Sequence, residues 1–184
     1  MFPSSLGGGD EDELFDEMDE FVPANLPEPG SFLRGHDVLD GDRHVQFHQR
    51  SEALFEERGV YDMTFGYNLA KLNLDTRHPD AGFRYAEDAD DPAVLRAEFT
   101  PTTAFCPQSD TLTKGAYRAW NGLAERHDYD RVDVRVAEMH QQAAEINEAL
   151  KHLDDSGGFG EVDVEMGDPE PFGQQDESGP EAPF

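Results

Sequence analysis

The sequence predicts an α+β fold: a small three-stranded sheet with helices packed on one face, in the order αββαβα, flanked by disordered acidic tails. Three observations carry this expectation. Two segments, Ala93–Thr100 and Arg131–Val136, have the apolar content and alternation of strands. Three longer segments place apolar residues at helical spacing. The charge is concentrated at the two ends, leaving a middle of ordinary composition.

Taken in order, residues 1–43 hold 12 acids and two arginines, with Gly- and Pro-rich stretches. Such a segment buries too little apolar surface to offset its ordering entropy and reads as a disordered tail. Leu14-Phe15, Met18 and Phe21-Val22 punctuate it, the pattern of a short docking helix or of a solvated tail. The domain is expected over 44–154. Val45–Arg58 is its first helix, with Phe47, Ala53, Leu54 and Phe55 apolar and Gly59 as the stop. Phe65–Leu74 alternates in its second half and is expected to be the first strand. Asp75–Pro92, with Pro79, Gly82 and an acidic run, reads as a long polar connection to the second strand, Ala93–Thr100. Asp110–Arg126 is the second helix, its face formed by Leu112, Ala116, Ala119, Trp120 and Leu123. Arg131–Val136 is the third strand. Met139–Leu153 is the last helix, with Ala143, Ile146 and Leu150 in its stripe. Residues 155–184 carry nine acids and no Lys or Arg, and read as a second disordered tail.

Charge and cysteine count bound the setting. The chain has 184 residues, 41 acidic against 14 basic, and a formal net charge of −27. A surface of this sign repels nucleic acid and anionic membrane, so neither is an expected partner. Eleven of the bases are Arg and three are Lys, and an acid-rich, Lys-poor chain suits a salt-loaded, halophilic cytoplasm where ions screen self-repulsion. A single cysteine excludes an intrachain disulfide and fits a reducing compartment. No apolar run reaches spanning length and no basic-then-apolar leader opens the chain, so a cytoplasmic location is expected.

That cysteine, Cys106, follows the second strand in Phe99-Thr100-Pro101-Thr102-Thr103-Ala104-Phe105-Cys106-Pro107 and precedes the second helix. A thiol at a helix N-terminus faces unpaired N–H groups and the positive end of the dipole, which favour thiolate. It is therefore a candidate nucleophile or metal ligand; the competing reading is a small buried apolar residue. Thr100, Thr102 and Thr103 shape the turn. Asp110 caps the helix start, or opposes thiolate as a like charge.

These residues carry a resemblance. Thr100-Pro101-Thr102 and Cys106, the Cys106-Pro107-x-x-Asp110 arrangement, Val132-Asp133-Val134, and the spacing of His140, Asn147 and Leu150 resemble the small iron–sulfur cluster assembly domain once called domain of unknown function fifty-nine. Its members include SufT-type and PaaD-type factors and the eukaryotic cytosolic iron–sulfur targeting subunits. Phe65-Gly66-Tyr67-Asn68-Leu69 is similar to that family's strand entry. The resemblance implies delivery or assembly of iron–sulfur clusters on client proteins, without catalysis of a chemical conversion. Iron–sulfur clients or assembly proteins would be the partners. It implies a transient cluster or iron touching Cys106, and no tightly bound cofactor. One thiolate cannot hold a cluster alone. His140 is the first candidate for a second ligand, and a homodimer would supply a second thiolate.

Other constellations are weaker. His44 and His48, with His36, Asp37, Asp40 and Asp42, share the spacing of a divalent-metal face but lack a further defined ligand, and solvated side chains are the favoured reading. Glu87-Asp88-Ala89-Asp90-Asp91 lacks the spacing and glycine of a calcium loop. A Cys–His hydrolase built from Cys106, His140 and Asn147 fails because His140 and Asn147 lie about two helical turns apart. Two functions remain: an iron–sulfur assembly or targeting factor, or a non-catalytic acidic protein-interaction module.

Overall fold

The computed structural model describes residues 14–156. Its elements are β1 (Asp37–Val38), α1 (Asp42–Arg58), β2 (Tyr61–Asp62), β3 (Tyr67–Asn68), β4 (Gly82–Glu87), β5 (Val94–Thr100), α2 (Ser109–Gly122), β6 (Arg131–Val136) and α3 (Ala143–Ser156). The main sheet has four strands in the order β1-β4-β5-β6. β4 and β5 are antiparallel, with Phe83 opposite Phe99. β5 and β6 are parallel, with Phe99 opposite Val136, and α2 makes the crossover. The α+β class is as expected; the strand count is not.

Odd-numbered residues of β4 and β5 and even-numbered residues of β6 face one side of the sheet. Phe83, Tyr85, Leu95, Ala97, Phe99, Val132, Val134 and Val136 join Phe47, Phe55, Leu112, Ala116, Trp120, Ile146 and Leu150 in one core. Trp120 is its centre: the indole lies 5.2 Å from Phe83 and 5.1 Å from Phe55, and its N–H donates to Ser51 Oγ at 2.9 Å. The three helices supply apolar stripes at the spacing the sequence shows, so propensity and burial agree. Gly59 ends α1 at φ 71°, a left-handed cap that glycine adopts without strain.

Three expectations are corrected. Phe65–Leu74 is not a strand of the main sheet; it forms β3 and then a 3-10 turn, Leu69–Leu74. The strand lies instead within 75–92, as β4. Its Gly82-Phe83-Arg84-Tyr85-Ala86-Glu87 does alternate, and Gly82 is required because at φ +122° its α-carbon sits against the Asn73 side chain. Asn73 explains why the chain is held there. Its amide donates to Phe83 O at 2.8 Å and its Oδ1 accepts from Phe83 N at 2.7 Å. The side chain thus behaves as a missing strand for that part of β4.

The third correction concerns the expected tail. Residues 14–43 pack on the domain, while residues 1–13 and 157–184 lie outside the described residues. Asp16 N donates to Leu74 O at 2.8 Å, the Phe21 ring lies tilted against His44 at 5.2 Å, and Leu26, Leu33 and Leu39 are buried. Scattered apolar residues in an acidic segment sufficed: Phe15 packs on Tyr67 and Lys71, Phe21 on His44, and Leu39 joins the core. Among the described residues no helix is long and apolar enough to cross a membrane.

Candidate functional site

The loop from Thr100 to Gln108 leaves the carboxyl end of β5, beside the carboxyl end of its parallel neighbour β6. Ligands of α/β sheets gather at such ends. Cys106 is half-buried there, three residues before α2 begins at Ser109, and its carbonyl accepts from Ser109 N at 3.4 Å. It therefore stands ahead of the first helical turn rather than in it, which weakens the expected action of the dipole on the sulfur.

The other expected site residues come together in part. His140 reaches Cys106, but through the backbone: its Nε2 lies 2.9 Å from Cys106 O. Its Nδ1 lies 3.0 Å from Gln142 N and accepts that proton, so Nε2 must carry the ring hydrogen and donate to the carbonyl. Both nitrogens are engaged, and neither is available as a metal ligand or as a base toward the thiol. Asn147 is a second clamp. Its Oδ1 accepts from Val136 N at 2.8 Å and its amide donates to Val136 O at 3.0 Å. Asp110 pairs with Lys114 at 3.0 Å. Thr100, Pro101 and Thr102 line a cleft described below.

These facts bear on the expected metal. Among the described residues no group of three or more His, Cys, Asp or Glu side chains is placed to hold an ion. Cys106 with an already engaged His140 does not make the donor set of an iron–sulfur cluster. The second candidate group is corrected too. His44 and His48 share a face, with rings stacked at 5.5 Å, but both are buried rather than solvated. His48 donates from Nε2 to Ala70 O at 2.8 Å and accepts at Nδ1 from Tyr85 Oη at 2.6 Å. Burial drives the His48 value down to about 4 and the His44 value down to about 2. His36 accepts from Ala89 N at 2.9 Å. Asp37 pairs with Arg43 at 3.2 Å, and Asp40 with Arg84 at 3.4 Å. Asp88 serves its hairpin, pairing with Arg96 at 2.9 Å.

A cleft of about 730 Å³ lies where the loops after β5 and β6 meet segments 27–34 and 77–81. Glu98, Thr100, Pro101, Glu138 and Met139 are among its lining residues. Glu98 is 3% exposed, and its carboxylate accepts from Gly30 N at 2.6 Å and Phe32 N at 3.4 Å. Burial raises its pKa. Sequence reasoning missed Glu98, although an acid in the middle of an apolar strand is the signal that marks it.

The loops after β5 and β6, with the β2–β3 loop, carry an apolar surface. The exposed large apolar side chains among the described residues are Met63 at 79%, Phe105 at 68% and Met139 at 45%. They belong to three loops stitched together by hydrogen bonds. Met63 N donates to Gln108 Oε1 at 2.9 Å, Gln108 Nε2 donates to Thr64 Oγ1 at 2.5 Å, and Gln141 N donates to Ala104 O at 2.8 Å.

Comparison with known proteins settles the family. No curated protein and no solved structure matches the chain. The likeness of its cysteine turn to the iron–sulfur assembly domain does not reflect membership, because a different and unrelated family model covers most of the sequence. That model spans residues 13–161, and the protein belongs to the family described as Domain of unknown function (DUF7998).

Proposed function

We propose that the protein is a non-catalytic protein-interaction module whose working surface is the apolar rim formed by Met63, Phe105 and Met139. One observation carries this reading: among the described residues, the large apolar side chains left exposed lie on three loops that hydrogen bonds join. Grouped exposed apolar side chains mark contact sites, whereas scattered ones do not. The engagement of His140 and Asn147 with backbone supports a role without chemistry at Cys106. The acidic charge sets the partner's sign, since like-charged surfaces repel.

The test is affinity capture from extract of the source cells at its native salt, quantified by mass spectrometry. Wild-type and Cys106→Ala proteins are expected to retain the same partners, and Phe105→Ser/Met139→Ser to lose them. Equal capture by the double variant sinks the reading. Loss of partners on Cys106→Ala alone moves the function to the thiol.

A further inference from the structure

The face of the sheet opposite the helices carries Arg84, Arg96, Glu98, Asp133 and Arg135. It is covered by residues 26–34, Leu-Pro-Glu-Pro-Gly-Ser-Phe-Leu-Arg. The contacts are those by which proteins recognise peptides. Arg84 donates to Pro27 O at 3.1 Å and Arg96 to Phe32 O at 2.9 Å. Glu98 accepts the amides of Gly30 and Phe32. Two guanidinium groups lie over the Phe32 ring, Arg96 at 4.5 Å and Arg135 at 5.1 Å from its centroid. Ser31 Oγ donates to Glu138 at 2.7 Å.

Arg96 and Arg135 are also held by residues outside the strap. Arg96 Nε is held by Asp88 at 2.9 Å. Arg135 donates to Asp154 at 2.9 Å and to Val134 O at 2.7 Å. Groups held in place before a ligand arrives lose little freedom when it binds. The strap has two prolines that favour an extended backbone, and leaves the sheet through Gly35 at φ +83°. It also forms one wall of the 730 Å³ cleft, so lifting it would enlarge that cleft.

We propose that this face is a peptide-docking surface occupied in cis by residues 26–34. Its partner is a proline-led extended segment that ends in a turn and presents one aromatic ring to Arg96 and Arg135. The partner gains access by displacing the strap. This surface adjoins the apolar rim at Met139, which lines the same cleft, but its contacts to Arg84, Arg96 and Arg135 are separate from the rim.

Gly30→Ala is the selective probe. A Cβ at Gly30 would lie 2.7 Å and 2.9 Å from the two Glu98 carboxylate oxygens, so either the strap or the Glu98 carboxylate must shift and their contact is disturbed, while every sheet residue remains. A fluorescein-labelled peptide of sequence Asn25–Arg34 is titrated against the full chain and read by polarisation. Binding to Gly30→Ala is expected at least tenfold tighter than to wild type. The gain should vanish when Arg96→Gln is added, or when alanine replaces Phe32 in the peptide. Hydrogen exchange provides the second readout: amides 30–33 should exchange at least tenfold faster in Gly30→Ala, with α2 amides unchanged. Phe32→Ala in the protein serves in the same way if Gly30→Ala does not fold. A freed strap without peptide binding overturns the proposal. So does strap exchange that occurs only with global unfolding. Dimerisation of Gly30→Ala by light scattering, without added peptide, would replace a partner segment with a second copy of this chain.

Discussion

At the scale of single residues, asparagine does more for this fold than cysteine. β6 is the edge strand beyond β5. Its outward backbone is satisfied by side chains: Asn121 takes both groups of Val132 at 2.9 Å, Arg135 takes Val134 O, and Asn147 takes both groups of Val136. Edges left open pair with other chains. Replacing Asn121 by Leu keeps the branching and heavy-atom count and orphans a buried N–H and C=O, which costs about 1–3 kcal/mol. Urea denaturation should show a lower midpoint with an unchanged m-value; no change would mean that water replaces the amide without cost. His140→Ala removes the staple on Cys106 O, and alkylation of Cys106 by iodoacetamide is expected to quicken several-fold while the far-ultraviolet spectrum stays the same. Asn147 and His140 were visible in the sequence as a spaced pair, yet the expected helix from Met139 begins only at Ala143, so His140 lies in the loop ahead of it, and spacing cannot show that both point at backbone.

At the scale of elements, α1 is an acid-sensitive component. It buries His44 and His48, whose folded values, about 2 and about 4, lie below the ordinary 6.5. Only the unfolded chain takes up these protons as pH falls below about 6.5, so stability present above that value is lost on the way to the folded values. For His48 alone the loss by pH 4 is on the order of 3 kcal/mol. Two carboxyls act in the opposite sense. Burial raises Glu98, and raises Asp154 to about 6, so their burial cost is relieved as pH falls, for Asp154 through about 6. The histidine contribution is therefore read as a difference. Wild type minus His48→Gln stability, measured by urea at pH 7 and pH 4.5, should shrink by most of that amount; a constant difference would show that His48 titrates normally. The expected strand positions teach a related lesson. β5 was found by its apolar content and β6 by its clean alternation. β4 was hidden by the prolines and acids around it, and by Arg84, whose aliphatic stem suits a face that the strap covers.

At the scale of the molecule, charge and the N-terminal arm decide behaviour. The net charge of −27 opposes compaction, and salt screens it over a Debye length near 10 Å at about 0.1 M. Thermal unfolding in potassium chloride from about 0.1 M to about 2 M, past the point where screening shortens that length several-fold, is expected to give a rising Tm. A flat profile would remove the case for a salt-adapted protein. The arm from residue 14 is part of the domain, and the family match beginning at residue 13 agrees with that extent.

The sequence by itself determined the α+β class, the three helices, β5 and β6, and the acidic character, because periodic burial and net charge are local or additive properties. Tertiary structure alone decided the rest. Whether an acidic arm packs depends on open places on a sheet formed by residues far along the chain. Whether Cys106 and His140 share a chemical site depends on which atoms meet, and here a ring nitrogen meets a carbonyl. A short motif constrains residue types at fixed spacing, but not the direction of a hydrogen bond, and that is why the cysteine turn resembled one family while the chain belongs to another.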